Sequence, residues 1–226
     1  MNKRQLLIFG LGDIAEVAHD CFESDTDYEV IGHVVHEKYM PNKHQNEFEV
    51  FPFENISLTH PCNEYSIFIA LGYKNLNYNK KLIYNLVKEK GYCTPNYIHS
   101  NAVIMTDKIG ENNFVLENAV IQARATIGNN NLIGAQSLIG HHSEIKNHNY
   151  IGSTACLCGH NKIGSLNFVG SKSVIAGHVT IGDSNYIGPS CKVFNNLNND
   201  EVLIERSTDA LNTNYNKIQN VLLKSM

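Results

Sequence analysis

The chain lacks the features that mark three large classes of protein. Its 226 residues carry a formal net charge of −4. It therefore presents no basic field to a polyphosphate backbone, and we predict no nucleic-acid partner. None of its six cysteines forms a CxxC pair of the zinc type, which indicates reduced thiols, a cytoplasmic protein and no metal. No apolar run approaches the ~20 residues of a membrane span, so we predict no membrane partner.

A strict six-residue period occupies the second half of the chain. A helix repeats near 3.6 residues and a strand near 2, so neither produces a period of six. A unit of one short strand and one turn does produce it, which is typical of a parallel β-helix. The sixteen consecutive aliphatic positions are Val103, Ile109, Val115, Ile121, Ile127, Ile133, Ile139, Ile145, Ile151, Leu157, Ile163, Val169, Ile175, Ile181, Ile187 and Val193.

The other repeat positions favour the same fold. Glycine follows the aliphatic residue in nine units, which suits a corner because glycine tolerates unusual backbone angles. Three units make one triangular coil, so we predict about five coils around an inward-facing aliphatic core, with strands roughly 4.8 Å apart. Residues separated by three units then lie one above another.

The first hundred residues predict a small Rossmann-like α/β domain. The predicted strands cover 5–9, 28–35, 66–71 and a short segment near 48–53, and the predicted helices cover 14–22 and 77–90. Acidic residues follow the apolar start of the chain at once, so we interpret this start as a buried strand and not as an export signal. The stretch 40–63 is otherwise predicted to be irregular.

Two turns of this domain are candidates for ligand binding. Gly10-Leu-Gly-Asp joins the first strand to the first helix, and Gly72-Tyr73 follows a later strand. Ligands of open parallel sheets bind at the carboxyl ends of strands, so we expect both turns to face one crevice. The third glycine of a dinucleotide fingerprint is replaced by Ala15, and a plain strand-to-helix turn stays an alternative.

We predict three parts in the chain: an α/β domain over 1–98, an all-β parallel β-helix over 99–199 and a C-terminal cap over 200–226. In the cap, we expect a strand at 202–205 and a helix at 214–223. Such a cap protects the open end of a β-helix from edge pairing.

Units such as Ile127-Gly-Asn-Asn-Asn-Leu and Ile181-Gly-Asp-Ser-Asn-Tyr resemble the hexapeptide repeat of left-handed β-helix acyltransferases. A Rossmann-like domain followed by this repeat is similar to bacterial N-acetyltransferases of nucleotide-linked amino sugars, and to the related sialic acid O-acetyltransferases. The left-handed sense of the β-helix is implied by the resemblance alone, since crossover connections between parallel strands are usually right-handed. The tail departs from the family, since it lacks the Gly-x-Pro-Ala ending that lies near the adenine of CoA in relatives.

The resemblance implies direct transfer from acetyl-CoA to an amino group of a nucleotide-linked deoxysugar, for a surface glycan such as an O-antigen. It also implies a homotrimer with active sites at subunit interfaces. The N-terminal domain would bind the nucleotide sugar through Gly10, Gly12, Asp13, Gly72 and Tyr73. The β-helix would bind acetyl-CoA.

The segment Leu138-Ile-Gly-His-His-Ser-Glu-Ile holds the candidate base. In the resembling family, the histidine at this place, His141 here, takes a proton from the acceptor. A free imidazole titrates near pH ~6.5 and suits this role. Many relatives carry an acidic residue directly afterwards, where this chain has His142. Glu117 and Glu144 stay open as the group that orients His141.

The coil period places two columns at this corner. One column holds Arg124, His142, His160 and His178, and its neighbour holds Ala123, His141, Gly159 and Gly177. Bare glycine backbone above the base lets a ligand approach closely, and the resemblance implies that the Gly159 N–H polarises the thioester carbonyl. We predict that the catalytic residues are His141, His142 and Gly159, and that acetyl-CoA contacts Gly159, His160, Gly177 and His178.

Other interpretations stay open at this stage. The acceptor is a hydroxyl in the sialic acid type of enzyme. A γ-type carbonic anhydrase also uses a left-handed β-helix and needs three imidazoles on zinc, although histidines one coil apart lie about 4.8 Å from each other. A scaffold protein would bind no CoA. As an alternative to a role in chemistry, His160 and His178 are surface residues or contacts within a trimer. Arg124 is a solvated charge or part of an ion pair at an interface. An acyl-cysteine intermediate on Cys156 or Cys158 is disfavoured, because the sequence gives neither thiol a dedicated base.

Overall fold

The computed structural model describes residues 4–41 and 48–207 and shows an α/β domain packed against a triangular prism of short strands. The α/β sheet is parallel, in the order β3-β2-β1-β4. Its strands are β1 (Arg4–Phe9), β2 (Tyr28–Val35), β3 (Val50–Pro52) and β4 (Tyr65–Ile69), and its helices are α1 (Asp13–Asp25), α2 (Ile56–Thr59) and α3 (Tyr78–Glu89). The predicted Rossmann-like arrangement is confirmed, while α2 lies where the sequence predicted irregular chain.

Each face of this sheet buries an apolar layer. Alternate β1 residues point to opposite faces, as in any strand. Leu6 and Ile8 pack with α1 and with the prism, whereas Leu7 and Phe9 pack with α2 and α3. The prism thus covers one face of the sheet, and the carboxyl ends of the strands stay open.

Seventeen two-residue strands form the prism. They are β5 (Tyr97–Ile98), β6 (Val103–Ile104), β7 (Phe114–Val115), β8 (Val120–Ile121), β9 (Thr126–Ile127), β10 (Leu132–Ile133), β11 (Leu138–Ile139), β12 (Glu144–Ile145), β13 (Tyr150–Ile151), β14 (Cys156–Leu157), β15 (Lys162–Ile163), β16 (Phe168–Val169), β17 (Val174–Ile175), β18 (Thr180–Ile181), β19 (Tyr186–Ile187), β20 (Lys192–Val193) and β21 (Val202–Leu203).

These strands form three parallel sheets, one on each side of the prism. The first sheet runs β21-β19-β16-β13-β10-β7-β5, the second β20-β17-β14-β11-β8-β6 and the third β18-β15-β12-β9. The chain visits the sheets in turn, and the prism is a left-handed parallel β-helix. The predicted cap strand is confirmed in part, because Val202–Leu203 pairs with β19. The predicted helix at 214–223 lies outside the described residues.

The aliphatic core is confirmed for fourteen of the sixteen predicted positions, which are at most 4% exposed from Val115 to Val193. The prediction that Val103 points into the core is wrong. This residue is 50% exposed and pairs with Val120, while its neighbour Ile104 pairs with Ile121. The first coil is therefore one residue shorter than the others, and Ile104 takes the inward position.

Two corners of the prism differ in what surrounds them. The docked corner joins the third sheet to the first, and the α/β domain packs against it. Here the side chain of Asn112 pairs with both backbone groups of Ile69, with N–H···Oδ1 at 2.8 Å and Nδ2–H···O at 3.2 Å. The open corner joins the second sheet to the third, and it holds the columns of His141 and His142. Among the described helices, none has the length and apolarity to span a bilayer.

Candidate functional site

A crevice of about 960 Å³ opens at the carboxyl ends of β1 and β4. All five residues predicted to bind a nucleotide sugar line it: Gly10, Gly12, Asp13, Gly72 and Tyr73. The two predicted turns therefore face one cavity, as expected for a parallel sheet. Tyr73, which lines the crevice, packs edge-on against Tyr150 and at a tilt of 53° against Phe168 of the first prism sheet, at 5.0 and 4.8 Å between ring centroids.

The glycine turn is held from behind by a buried histidine. Gly10 has φ +136°, and a Cβ there would lie 2.8 Å from the Ala70 carbonyl oxygen, so only glycine fits. His33 Nδ1 lies 2.8 Å from the Gly10 oxygen and must donate, because a carbonyl only accepts. Burial lowers the pKa of His33, which keeps the ring neutral. The turn thereby aims the N-terminus of α1 into the crevice, where backbone N–H groups suit an anion.

Several lining residues were missed by the sequence analysis. His36, Lys38 and Tyr39 follow β2, and Lys74 and Asn79 lie beyond β4. The signal that could have found His36, Lys38, Tyr39 and Lys74 is their position just after predicted strands, whereas Asn79 lies on α3. The two lysines give the crevice positive charge at its rim, which complements a diphosphate.

His36 is fixed within this rim by a carboxylate. Its Nδ1 lies 2.8 Å from Glu54 Oε1, and this hydrogen bond lowers the pKa of Glu54. In dinucleotide-binding domains, the residue at the end of this strand contacts the ribose. His36 lines the crevice at the carboxyl end of β2.

The open corner confirms the predicted column of histidines. The rings of His142 and His160 stack at 4.7 Å with an interplanar angle of 7°, and those of His160 and His178 at 4.5 Å and 6°. All three side chains are exposed. Arg124 occupies the same left-handed corner position one coil below, with φ 64°.

The ring of His141 packs against the backbone of Gly159, one coil above it. A Cβ on Gly159 would lie 2.7 to 3.0 Å from three atoms of the His141 ring. The backbone N–H of His141 donates to Gln122 Oε1 at 2.9 Å, and its Nδ1 lies 3.0 Å from His142 Nδ1. Gly159 is therefore required for the ring of His141 to take this place.

The N–H of Gly159 is uncapped. At the docked corner, the equivalent N–H groups donate to a side chain one coil above, such as Asn129 N–H to Asn147 Oδ1 at 2.8 Å and Ser165 N–H to Asp183 Oδ1. One coil above Gly159 stands Gly177, which has no side chain to accept. Within the described chain, the Gly159 N–H donates no hydrogen bond, so it is available to a ligand oxygen beside His141.

Neither carboxylate considered as a partner of His141 takes that place. Glu117 lies at the third corner, between the first and second sheets, where its carbonyl accepts from the Gln136 N–H at 2.9 Å. Glu144 begins β12 and is exposed. The ring nitrogen that a carboxylate would hold faces His142 instead.

The imidazole cluster has the composition of a metal site. One ring nitrogen from each of His141, His142 and His160 lies within 4.8 Å of the others. The rings of His142 and His160 are parallel, so their in-plane lone pairs do not converge, and Zn–N bonds need about 2.0–2.1 Å. A bound ion would require rotation of at least one of these rings.

The crevice and the open corner lie on opposite sides of the prism. The crevice rests on the first sheet through Tyr73, whereas the open corner joins the second and third sheets. In a triangle, this corner is the one that does not touch the first side. The two candidate sites of one chain are thus separated by its own prism.

The bacterial transferase hexapeptide family (six repeats) matches residues 108–141. No curated protein sequence matches the chain. The chain is similar in structure to the acetyltransferase domain of PglB from Neisseria gonorrhoeae FA1090 in complex with acetyl coenzyme A, at 20% identity and TM-score 0.74, over 84% of this chain and 93% of that one.

A second similar structure is PerB from Caulobacter crescentus in complex with CoA and GDP-perosamine, at 20% identity and TM-score 0.76, over 88% of this chain and 92% of that one. A third is WeeI from Acinetobacter baumannii AYE, at 15% identity and TM-score 0.53, over 83% and 93%. At these identities, the likeness establishes a shared fold. The chain carries the hexapeptide repeat of bacterial transferases in a left-handed β-helix behind an α/β domain.

Proposed function

We propose that the protein is an acetyl-CoA-dependent N-acetyltransferase that acts on a nucleotide-linked amino sugar, with His141 as general base. The observation that carries this proposal is His141 over the backbone of Gly159, whose N–H is uncapped. The crevice, with the N-terminus of α1 and two lysines, suits a nucleoside diphosphate. Structures of the same fold hold acetyl coenzyme A, or CoA with GDP-perosamine.

In this proposal, the thioester of acetyl-CoA supplies the acyl group. His141 takes the proton of the attacking amine as the N–C bond forms. The Gly159 N–H donates to the thioester oxygen, where negative charge develops. When the C–S bond breaks, His141 returns the proton to the leaving thiolate. Gly177 leaves room for the cofactor arm, which His160 and His178 flank.

We further propose a homotrimer in which each site lies between two subunits. One chain does not bring its crevice to its own open corner, so a second copy must complete the site. The second sheet, beside the open corner, presents a column of four successive outward side chains without charge, Val120, Leu138, Cys156 and Val174, which ends at Lys192 on the last strand. Such a column suits burial against another prism. A fully active monomer in light scattering would contradict this assembly.

The experiment is thiol release from acetyl-CoA with UDP-, GDP- and dTDP-linked amino sugars and with sialic acid, for wild type and His141→Ala. We expect turnover of one amino sugar, and a loss of ~10²–10⁴-fold in the variant because a general base contributes about that much. CoA binding should persist in the variant. Turnover of sialic acid alone would replace the amine acceptor by a hydroxyl, and wild type that does not bind CoA would contradict the proposal.

The cellular role follows from this chemistry. An acetylated amino sugar on a nucleotide is an activated donor, so we propose that the product feeds a surface glycan and that transfer occurs in the cytoplasm. Loss of one acetyl group from the surface glycan of a deletion strain is the expected result. An unchanged glycan would contradict this role.

A further inference from the structure

The proposed base is held by a second imidazole. His141 Nδ1 and His142 Nδ1 lie 3.0 Å apart, and the two rings are perpendicular at 89°. Among the described residues, no carboxylate forms a hydrogen bond or an ion pair with either ring. The contact between the two ring nitrogens is therefore the hydrogen bond that orients the His141 ring, which also lies edge-on to the His160 ring at 5.1 Å between centroids.

This contact constrains where the protons lie. A hydrogen bond between two imidazole nitrogens needs one proton, so one Nδ1 donates and the other accepts. If His141 donates, its Nε2 keeps the free lone pair that a base needs. If His142 donates, the neutral His141 ring must carry its proton on Nε2 and has no lone pair for the acceptor.

The stacked histidine column forms one side of the surroundings of His142. One face of its ring lies against His160, which lies against His178. Desolvation and the neighbouring imidazoles of His178, His142 and His141 lower the pKa of His160. The other charged and titratable groups of this corner are Arg124 one coil below, Glu144 on β12, Lys162 on β15, and Cys158 before Gly159.

We propose that His142 is a positioning residue that holds His141 in the base-competent tautomer and shares the proton that His141 takes up. This inference rests on the proposed function of the open corner. In the competent state both rings are neutral, with protons on His141 Nδ1 and His142 Nε2. The amine proton goes to His141 Nε2, the Nδ1–H···Nδ1 bond persists, and the proton then passes to the thiolate.

The shared bond has a consequence for pH dependence. When the pair carries one extra proton, either ring that holds it leaves His141 Nε2 protonated. Activity therefore needs both rings to be neutral. At low pH, where the pair carries two extra protons, log kcat/KM of the wild type should rise with pH at a slope about 1 greater than that of an enzyme with a single base.

The corner geometry gives variants that should fold. His142 has φ 58°, and asparagine occupies the same repeat position at Asn118 and Asn130, with φ 56° and 59°. Asparagine tolerates this left-handed region well. His142→Asn keeps an acceptor but does not titrate, and His142→Asp supplies a carboxylate. Lys172→Asn, at an exposed position with φ 61° on another corner, is the matched control.

The first readout is independent of activity. We would record ¹⁵N-histidine NMR spectra of the full-length protein at pH 8 in the presence of a chelator, with His142→Asn and His141→Asn as assignment variants. The expected result is a proton on Nδ1 of His141 and on Nε2 of His142. A proton on Nε2 of His141 would overturn the proposal. This result is obtained even if the wild type acetylates no sugar.

The second readout is the pH profile of kcat/KM. We expect His142→Asn to lower kcat/KM about 10-fold at pH 7 and to reduce the acid slope by about 1. His142→Asp should recover most of the rate, with the same acid slope as His142→Asn, and Lys172→Asn should behave as wild type. Wild-type rate and slope in His142→Asn would overturn the proposal.

Discussion

The docked corner and the open corner are built from the same six-residue unit but have opposite properties. At the docked corner, Asn130 and His148 are buried, and burial together with Lys80 and Lys81 lowers the pKa of His148 to about 4. At the open corner, His142 and His160 are exposed and stacked. The backbone shape is common to both, so the difference lies in the side chains.

The two corners differ in whether side chains cap their backbone N–H groups. At the docked corner, asparagine, serine and aspartate side chains cap the N–H groups one coil below. At the open corner, glycine at 159 and 177 removes these caps, and the backbone becomes available to a ligand. The candidate site thus arises where the repeat omits its own hydrogen bonds.

We expect the largest loss of stability from removal of a buried side chain at the docked corner. Asn149 Nδ2 donates to the Gly164 oxygen at 2.9 Å, and Asn149 Oδ1 accepts from the Asn167 N–H at 2.9 Å. Asn149→Ala leaves these buried groups unpaired, so we expect a loss of about 3 kcal/mol in the free energy of unfolding. Chemical denaturation measures this loss, and an unchanged midpoint would contradict the role of the ladder.

The next effect comes from giving the open corner a cap. Gly177 has ordinary backbone angles, and a Cβ there would lie 3.2 Å from the Gly159 oxygen, so a small side chain fits with a slight shift. In Gly177→Ser, the hydroxyl can accept from the Gly159 N–H. We expect kcat/KM to fall about 10- to 100-fold, since the oxyanion donor is occupied.

The matched control for Gly177→Ser removes a cap from the docked corner. Asp183→Ala uncaps the Ser165 N–H. We expect a stability loss of about 1 kcal/mol with unchanged kinetics. Equal kinetic losses in the two variants would contradict the assignment of the open corner.

The smallest effect concerns a buried amine at the docked corner. Lys80 is 3% exposed, and burial lowers its pKa to about 7. The unfolded chain keeps this proton up to about pH 10.4, so wild-type stability should rise with pH between about 7 and 10. His148, whose pKa burial and the charges of Lys80 and Lys81 lower to about 4, is neutral at this pH.

Replacement of Lys80 removes this pH dependence. Lys80→Met should raise stability by about 1 kcal/mol at pH 7 and by less at pH 10, because the amine is neutral in the folded wild type there. Urea unfolding at both pH values measures the difference, with Lys81→Met as control. A larger gain in stability from Lys80→Met at pH 10 than at pH 7 would contradict the expected direction of the pH dependence.

The sequence predicted the prism well because its period is imposed by stacking itself. The same period predicted the column of His142, His160 and His178. It misplaced Val103 because one residue is missing from the turn between Ile104 and Ile109, and an aliphatic residue happened to stand at both candidate positions. A period does not reveal which of two adjacent aliphatic residues points inward.

Contacts between distant side chains were beyond the sequence. The partner of His141 depends on ring orientation, so the sequence left Glu117 and Glu144 open as the orienting group and did not point to the imidazole of His142. His33 behind Gly10, and His36 in the crevice, depend on which strand lies beside β1. The sequence pattern predicts that these strands exist, but the order of the strands in the sheet is determined by packing.

We propose that the crevice of one subunit works with the open corner of another. Gly12→Phe should block the crevice without strain, since a Cβ on Gly12 meets nothing within 4 Å, and His141→Ala removes the base. We would unfold and refold the two inactive variants together and assay acetyl transfer. If neighbouring subunits share sites, random trimers regain about a quarter of wild-type activity. Mixed trimers that form but stay inactive would contradict the account.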